Sequence, residues 1–131
     1  MNDLLTTEIK VVYNGCYGGF DLSHEAMLRL AELKGINVYP QNLMMNAYIY
    51  WLEPLVENED RENGPSFEIS NVSRHDKDLV RVVEEMGDKA NGFCSNLKIE
   101  IVKKGTLYRI DEYDGYESVI CQYDDVWSVA E

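Results

Sequence analysis

The chain is poor in positive charge, since its 131 residues include 12 Lys and Arg against 24 Asp and Glu, a formal net charge of −12. Proteins that bind nucleic-acid backbones do so mainly through Lys and Arg, which release counterions. Anionic membrane surfaces likewise attract basic segments. The charge therefore argues against direct binding to nucleic-acid backbones or membranes. It permits a solvated acidic surface, a basic protein partner or mimicry of nucleic acid.

Cysteine and long apolar runs are also scarce. Cys16, Cys94 and Cys121 have no metal-ligand spacing, so we expect free thiols in a reducing cytoplasm. The longest stretch without charge, residues 35–52, contains Asn, Gln and Pro and predicts no membrane span. The first ten residues lack the basic and apolar regions of a signal peptide.

The length predicts one domain, residues 1–131, of the α+β class with a mainly antiparallel sheet. A helix is expected over residues 24–34, because Ser23 is a good N-cap and apolar residues follow at helical spacing. A second helix is expected over residues 77–90, with Asp76 as its N-cap.

The remaining segments predict strands, a loop and a tail. A C-terminal β-hairpin is expected over residues 107–121, because an Asp-Gly turn joins two alternating runs. Residues 36–70 are ambiguous. Residues 48–51 favour a strand, although a helix over 43–55 also fits. We further predict the following: a strand at 8–13, an exposed acidic loop at 53–66 and a C-terminal tail at 122–131.

Three separated blocks carry a resemblance. They are N-x-C-Y-G-G-F-x-L-S at 14–23, R-x-D-x-D-L-V at 74–80 and E-Y-D-G-x-E at 112–117. Together they resemble a family of small, functionally unassigned proteins of tailed bacteriophages and large DNA viruses. Where that family has Pro after Arg-x-Asp, this chain has Lys77, which removes a pre-organised helical residue but no chemistry. The resemblance implies a viral accessory protein in the cytoplasm of an infected bacterium, and it implies no activity.

The glycine-rich turn at 14–20 lies between the first strand and the first helix. Such a turn can offer backbone N–H groups to an anion. It matches neither the dinucleotide-binding G-x-G-x-x-G pattern nor a P-loop. Tyr13, Tyr17 and Phe20 offer rings on which a base could stack. The alternative is a tight turn that depends on the conformational freedom of glycine.

Arginine is scarce, with five in the chain, so Arg74 and Arg109 are candidates for anion binding. Arg74 stands beside His75 before a predicted helix and could hold a phosphate or carboxylate with two hydrogen bonds. Alternatively, Arg74 pairs with a carboxylate of the predicted hairpin, namely Asp111, Glu112 or Asp114.

Catalytic chemistry is weakly indicated. Cys16 could be a nucleophile with His24 or His75 as its base, but free cysteines are often simply small buried residues. Several hairpin carboxylates could bind metal or transfer protons, or could form a solvated tip: Asp111, Glu112, Asp114 and Glu117. We predict no catalytic set, no metal site and no cofactor, so a binding protein is favoured over an enzyme.

The leading hypothesis is a non-catalytic counter-defence protein, a homo-oligomer that sequesters a small nucleotide-type immune signal. Its predicted ligand-binding residues are Tyr13, Cys16, Tyr17, Phe20, Arg74, His75, Arg109 and Tyr113. A second hypothesis is an inhibitor of a host protein. Its acidic surface would be led by Glu53, Glu57, Glu59, Asp60 and Glu62. The third is an enzyme, and the remaining alternative is a structural phage protein.

Overall fold

The computed structural model describes residues 7–57, 59–122 and 130, and the predicted tail at 122–131 lies largely outside them. The described elements are β1 (Glu8–Asn14), α1 (His24–Lys34), β2 (Tyr39–Met44), β3 (Ala47–Trp51), α2 (Lys77–Met86), β4 (Leu97–Lys103), β5 (Tyr108–Tyr113) and β6 (Tyr116–Cys121). The strands form three antiparallel pairs, β1–β4, β2–β3 and β5–β6. The predicted α+β class and C-terminal hairpin are confirmed. In the described residues the sheet is divided into three two-stranded ladders.

The helices begin where their capping residues predict. The Ser23 hydroxyl accepts a hydrogen bond from the backbone N–H of Ala26 at 3.1 Å. A carboxylate oxygen of Asp76 accepts from the N–H groups of Asp78 and Leu79 at 2.9 and 3.0 Å. Each cap satisfies donors that the first helical turn cannot pair internally.

The second helix ends earlier than the sequence predicts. Its α-helical part stops at Met86, because Gly87 adopts a φ of +58°, which favours glycine, and donates its N–H to the carbonyl of Val83. A short 3₁₀ turn, Gly87–Ala90, continues the chain. The predicted range 77–90 is thus a helix followed by a turn of different geometry.

The main core lies between the two helices and one face of β1. Its buried members are Val12, Leu22, Ala26, Met27, Leu30, Tyr50, Leu79, Val80, Val82, Val83 and Ala90. A smaller cluster of Val11, Val102 and Cys121 lies on the other face of β1, against the C-terminal hairpin. Adjacent strand residues point to opposite faces, so β1 is packed on both sides.

The ambiguous segment at 36–70 contains the β2–β3 hairpin. The strand interpretation of residues 48–51 is confirmed, and the alternative helix is wrong. The acidic loop that follows folds around Arg61. This guanidinium binds the Glu59 carboxylate at 2.6 Å and the carbonyl of Glu53 at 3.0 Å, and it lies 5.2 Å from the ring centre of Trp51.

Candidate functional site

Two regions bring aromatic and polar side chains together. The first is a buried junction, made by Asn14, Phe20, Arg74, Gly115 and Glu117. Here the glycine turn, the segment before α2 and the C-terminal hairpin meet. It includes two of the predicted ligand-binding residues, Phe20 and Arg74.

Arg74 is held by its own protein at this junction. Its guanidinium donates to both carboxylate oxygens of Glu117 at 2.7 and 2.8 Å and lies 3.5 Å from the ring centre of Phe20. The Arg74 and Glu117 side chains are 22% and 7% exposed. Its partner is thus a carboxylate other than the three considered from the sequence. The expectation of a fully solvated hairpin tip is wrong for Glu117, whose position on β6 turns it inward.

Asn14 completes the junction, and its backbone N–H and both polar atoms of its side chain have partners. Its backbone N–H donates to Glu117 at 2.8 Å, and its side-chain amide donates to the carbonyls of Cys16 and Gly115. Its side-chain oxygen accepts from the N–H of Asn96 at 2.8 Å. Since Asn14 is fully buried, these bonds offset the cost of removing it from water.

The glycine turn is packed closely from two sides. A Cβ at Gly18 would collide with the carbonyl oxygen of Cys94. A Cβ at Gly115 would lie 2.5 Å from the carbonyl oxygen of Tyr17 and 2.7 Å from the nitrogen of Gly19. These contacts favour the interpretation of a tight, packed turn over an open anion-binding loop.

The other predicted site residues are spread over the surface around the junction. Tyr17 lies with its ring 5.1 Å from that of Tyr116 and is 65% exposed, and Tyr113 is 78% exposed. Tyr13 is partly buried on β1, where burial, and then the charges of Glu100 and Tyr116, raises its pKa.

Partners within the protein also contact three further predicted site residues, namely Arg109, His75 and Cys16. Arg109 donates to Asp111 at 2.8 Å on an exposed strand face. His75 shares a 2.6 Å hydrogen bond with the hydroxyl of Tyr108. The Cys16 thiol lies 3.1 Å from the carbonyl oxygen of Cys94, and His24 bonds to a tyrosine in a different region.

That second region is a cavity of about 590 Å³, which we name the aromatic cavity. It lies between the start of α1, strand β3 and the segment 62–70. Its walls are formed by Asp21, Leu22, His24, Met27, residues 46–51, residues 62–64 and residues 66–70. It shares no residue with the site predicted from the sequence. Its volume is in the range typical of pockets for small ligands.

Three nearly parallel rings form one wall of this cavity. The imidazole of His24 stacks on Tyr48, with ring centres 3.8 Å apart and planes 13° apart. Tyr50 lies 5.6 Å from His24, and its hydroxyl and the Nδ1 atom of His24 are 2.8 Å apart. Alternate strand residues share a face, so β3 presents both tyrosines to the first residue of α1.

The charge of the cavity is acidic. Asp21, Glu62 and Glu68 line it, and no Lys or Arg among the described residues does so. Burial raises the pKa of Asp21. Burial, and then the charge of Asp21, raises the pKa of Tyr50 to about 12. The Tyr50 hydroxyl is therefore protonated at neutral pH and available for hydrogen bonding.

The arrangement has the chemistry to bind a planar ligand. Stacked rings, together with carboxylates that form no ion pair among the described residues, can hold a planar ligand and accept hydrogen bonds from it. Within the part of the chain that the structure describes, no group of three or more His, Cys, Asp or Glu is placed to hold a metal ion. None of the described helices is long and apolar enough to cross a membrane.

The sequence analysis missed this cavity because no motif marks its residues. One signal was present, since Tyr48 and Tyr50 alternate in a strand and must share a face. Comparison with protein-family models, curated proteins and solved structures finds no match to this chain. The resemblance to a viral family therefore stays a prediction.

Proposed function

We propose that the protein is a non-catalytic binder of a small ligand, and that the ligand lies against Tyr48 in the aromatic cavity. The observation that carries this proposal is the wall of three parallel rings inside a cavity of about 590 Å³. A planar group of a ligand is stabilised by stacking on such rings, and many different planar groups can stack in this way. Asn46, Asn63 and Ser66 add neutral hydrogen-bonding groups around it.

The biological role that we propose is the counter-defence role implied by the viral resemblance. In it, the protein sequesters a small nucleotide-type immune signal in an infected bacterium. The base of such a signal would stack in the cavity, and its phosphates would lie outside, because three carboxylates and no Lys or Arg line the described walls. Homo-oligomer formation belongs to the same proposal.

The junction supports this location by exclusion. The two arginines expected to hold phosphate already contact carboxylates: Arg74 binds Glu117 with two hydrogen bonds, and Arg109 binds Asp111. Freeing Arg74 would leave a buried carboxylate without its cation, which is costly. A ligand at the aromatic cavity requires no such rearrangement.

The test is an NMR titration of the ¹⁵N-labelled protein with nucleosides, cyclic nucleotides and other flat ring compounds. We expect shifts at Tyr48, Tyr50 and residues 62–70. Tyr48→Ala removes the stacking surface and should weaken binding by about tenfold or more. Tyr113→Ala, which alters an exposed tyrosine outside the cavity, is the matched control and should bind normally.

The opposite pattern would overturn the proposal. If the shifts gather around Tyr17 and Tyr113 and vanish in Tyr113→Ala, the site predicted from the sequence is correct and the cavity is not the binding site. If no compound of the panel shifts any resonance, the small-ligand function is rejected.

The second candidate, an inhibitor of a host protein, is favoured by one observation. Glu53, Glu57, Asp60 and Glu62 are exposed in one loop, while Glu59 is paired with Arg61. A basic protein could contact that surface. Replacing the four exposed carboxylates with amides should then abolish a salt-sensitive interaction with the partner in host lysate, and retention of the interaction would exclude this surface.

A further inference from the structure

The aromatic cavity combines ring faces with negative charge, and no Lys or Arg of the described residues lines it. Asp21, Glu62 and Glu68 line it. Among residues 7–57, 59–122 and 130, none of these three carboxylates forms an ion pair. By contrast, Glu117 of the junction pairs with Arg74, and Asp76 and Glu85 near the ends of α2 pair with Lys34 and Arg29.

We propose that the cavity selects a flat organic cation, such as a pyridinium or a protonated heteroaromatic base, over neutral or anionic rings of equal size. The inference rests on the proposed function and narrows its ligand class. A cation above an aromatic face is attracted by the negative π surface, and nearby carboxylates add to this attraction.

The protein already uses this chemistry next to the cavity. The guanidinium of Arg61 lies 5.2 Å from the ring centre of Trp51, and the Trp51 indole also contributes to the cavity wall. The ring of Trp51 therefore already contacts a cation that the protein itself supplies. No Lys or Arg of the described residues lies over the ring of Tyr48, which is partly exposed, or over that of Tyr50.

The carboxylates lie where they can act on a ligand held by the rings. Asp21 belongs to the turn just before α1, two residues from the Ser23 cap, and Glu68 precedes the 3₁₀ turn Ile69–Asn71. Both line the cavity from positions beside these elements, and, after burial, the charge of Asp21 contributes to the raised pKa of the Tyr50 hydroxyl. Burial raises the pKa of Asp21, as expected for a carboxylate that lacks a compensating cation.

The test uses three probes with one ring and different charge: the N-methylnicotinamide cation, neutral nicotinamide and the nicotinate anion. Affinities are measured by calorimetry in one buffer at fixed ionic strength. We expect the cation to bind about tenfold more tightly than the neutral ring, and the anion to bind most weakly. Added salt should weaken the binding of the cation more than it weakens the binding of the other two probes.

Two variants assign the charge effect to the cavity. The combined change Asp21→Asn, Glu62→Gln and Glu68→Gln should remove most of the preference for the cation over nicotinamide. Asp60→Asn is the matched control, because it removes an exposed carboxylate of the same loop that does not line the cavity.

The outcomes separate this inference from the proposed function. Equal binding of cation and anion, with both lost in Tyr48→Ala, overturns the ligand class and leaves the binding site standing. Failure of all three probes, together with Tyr48-dependent binding of another compound, also rejects the cation class alone. Probe binding that is unaffected by Tyr48→Ala rejects both the cavity as the site and the inference.

Discussion

The junction and the aromatic cavity both join aromatic rings to polar groups, but they differ in how those groups are satisfied. At the junction, Arg74, Glu117 and Asn14 bond to one another and to the surrounding backbone. In the cavity, Asp21 and Glu68 have no ion-pair partner among the described residues, and Tyr48 keeps part of its surface exposed. Internal pairing indicates a structural role, whereas carboxylates without an ion-pair partner around a cavity support the binding role that we propose.

The largest expected effect tests the structural role of the junction. Arg74→Met should lower the free energy of unfolding by about 3 kcal/mol, because it leaves the carboxylate of Glu117 buried without its cation. The measurement is urea denaturation. Adding Glu117→Gln to this variant should recover part of the loss, since no charge then remains buried.

Arg109→Met is the matched control, because it alters an exposed ion pair with Asp111. It should change stability by less than about 1 kcal/mol. If both single variants lose equal stability, the contrast between a buried and an exposed arginine is wrong. Ligand binding at the cavity should be unchanged in Arg109→Met.

A smaller loss of stability is expected when a side-chain carbon is added at the glycine turn. Gly18→Ala should cost about 2 kcal/mol, because its Cβ would meet the backbone carbonyl of Cys94, which cannot move aside easily. Gly15→Ala should cost clearly less, because the atoms it meets belong to the flexible side chain of Lys98. Thermal unfolding of the two variants measures the difference. Equal losses would show that the turn is not held tightly.

The smallest effect at neutral pH concerns the cavity, and this effect changes at alkaline pH. The pKa of Tyr50 is about 12 in the folded protein against 10.0 for an ordinary tyrosine. The unfolded state therefore releases this proton first. The associated stability is present below pH 10 and is lost as the pH rises towards 12.

Tyr50→Phe should lower stability by about 1 kcal/mol at neutral pH, because the bond to His24 is lost. The difference in unfolding free energy between Tyr50→Phe and the unchanged protein should shrink between pH 10 and 12, since Phe does not ionise there. Parallel denaturation curves of the two proteins across this range check the prediction. A constant difference would mean that the Tyr50 hydroxyl is not shielded by the fold.

Much of the local structure follows from short stretches of sequence. Ser23 and Asp76 mark the helix starts, because their side chains pair with backbone groups two or three residues away. Asp114 and Gly115 form the turn of the hairpin, both with positive φ. The end of α2 does not follow from the local pattern, because the apolar spacing continues through Gly87 while the α-helix ends at Met86.

The candidate site depended on contacts that no local pattern encodes. Residues 48–51 are clear as a strand only once β2 pairs with them. The cavity then requires that this strand meet the start of α1 and the segment 62–70, which are separated along the chain. The charge composition also gave no sign of where unpaired carboxylates would gather.

The sequence alone determined the acidic character, the α+β class and the positions of the helix starts and the final turn, because these depend on composition and on near neighbours. Tertiary structure decided the partners. Arg74 lies 43 residues from Glu117 and His24 lies 26 residues from Tyr50. Such pairs form only when the chain packs. Arg74 and Glu117 then stabilise the fold, whereas His24 and Tyr50 form part of a cavity wall.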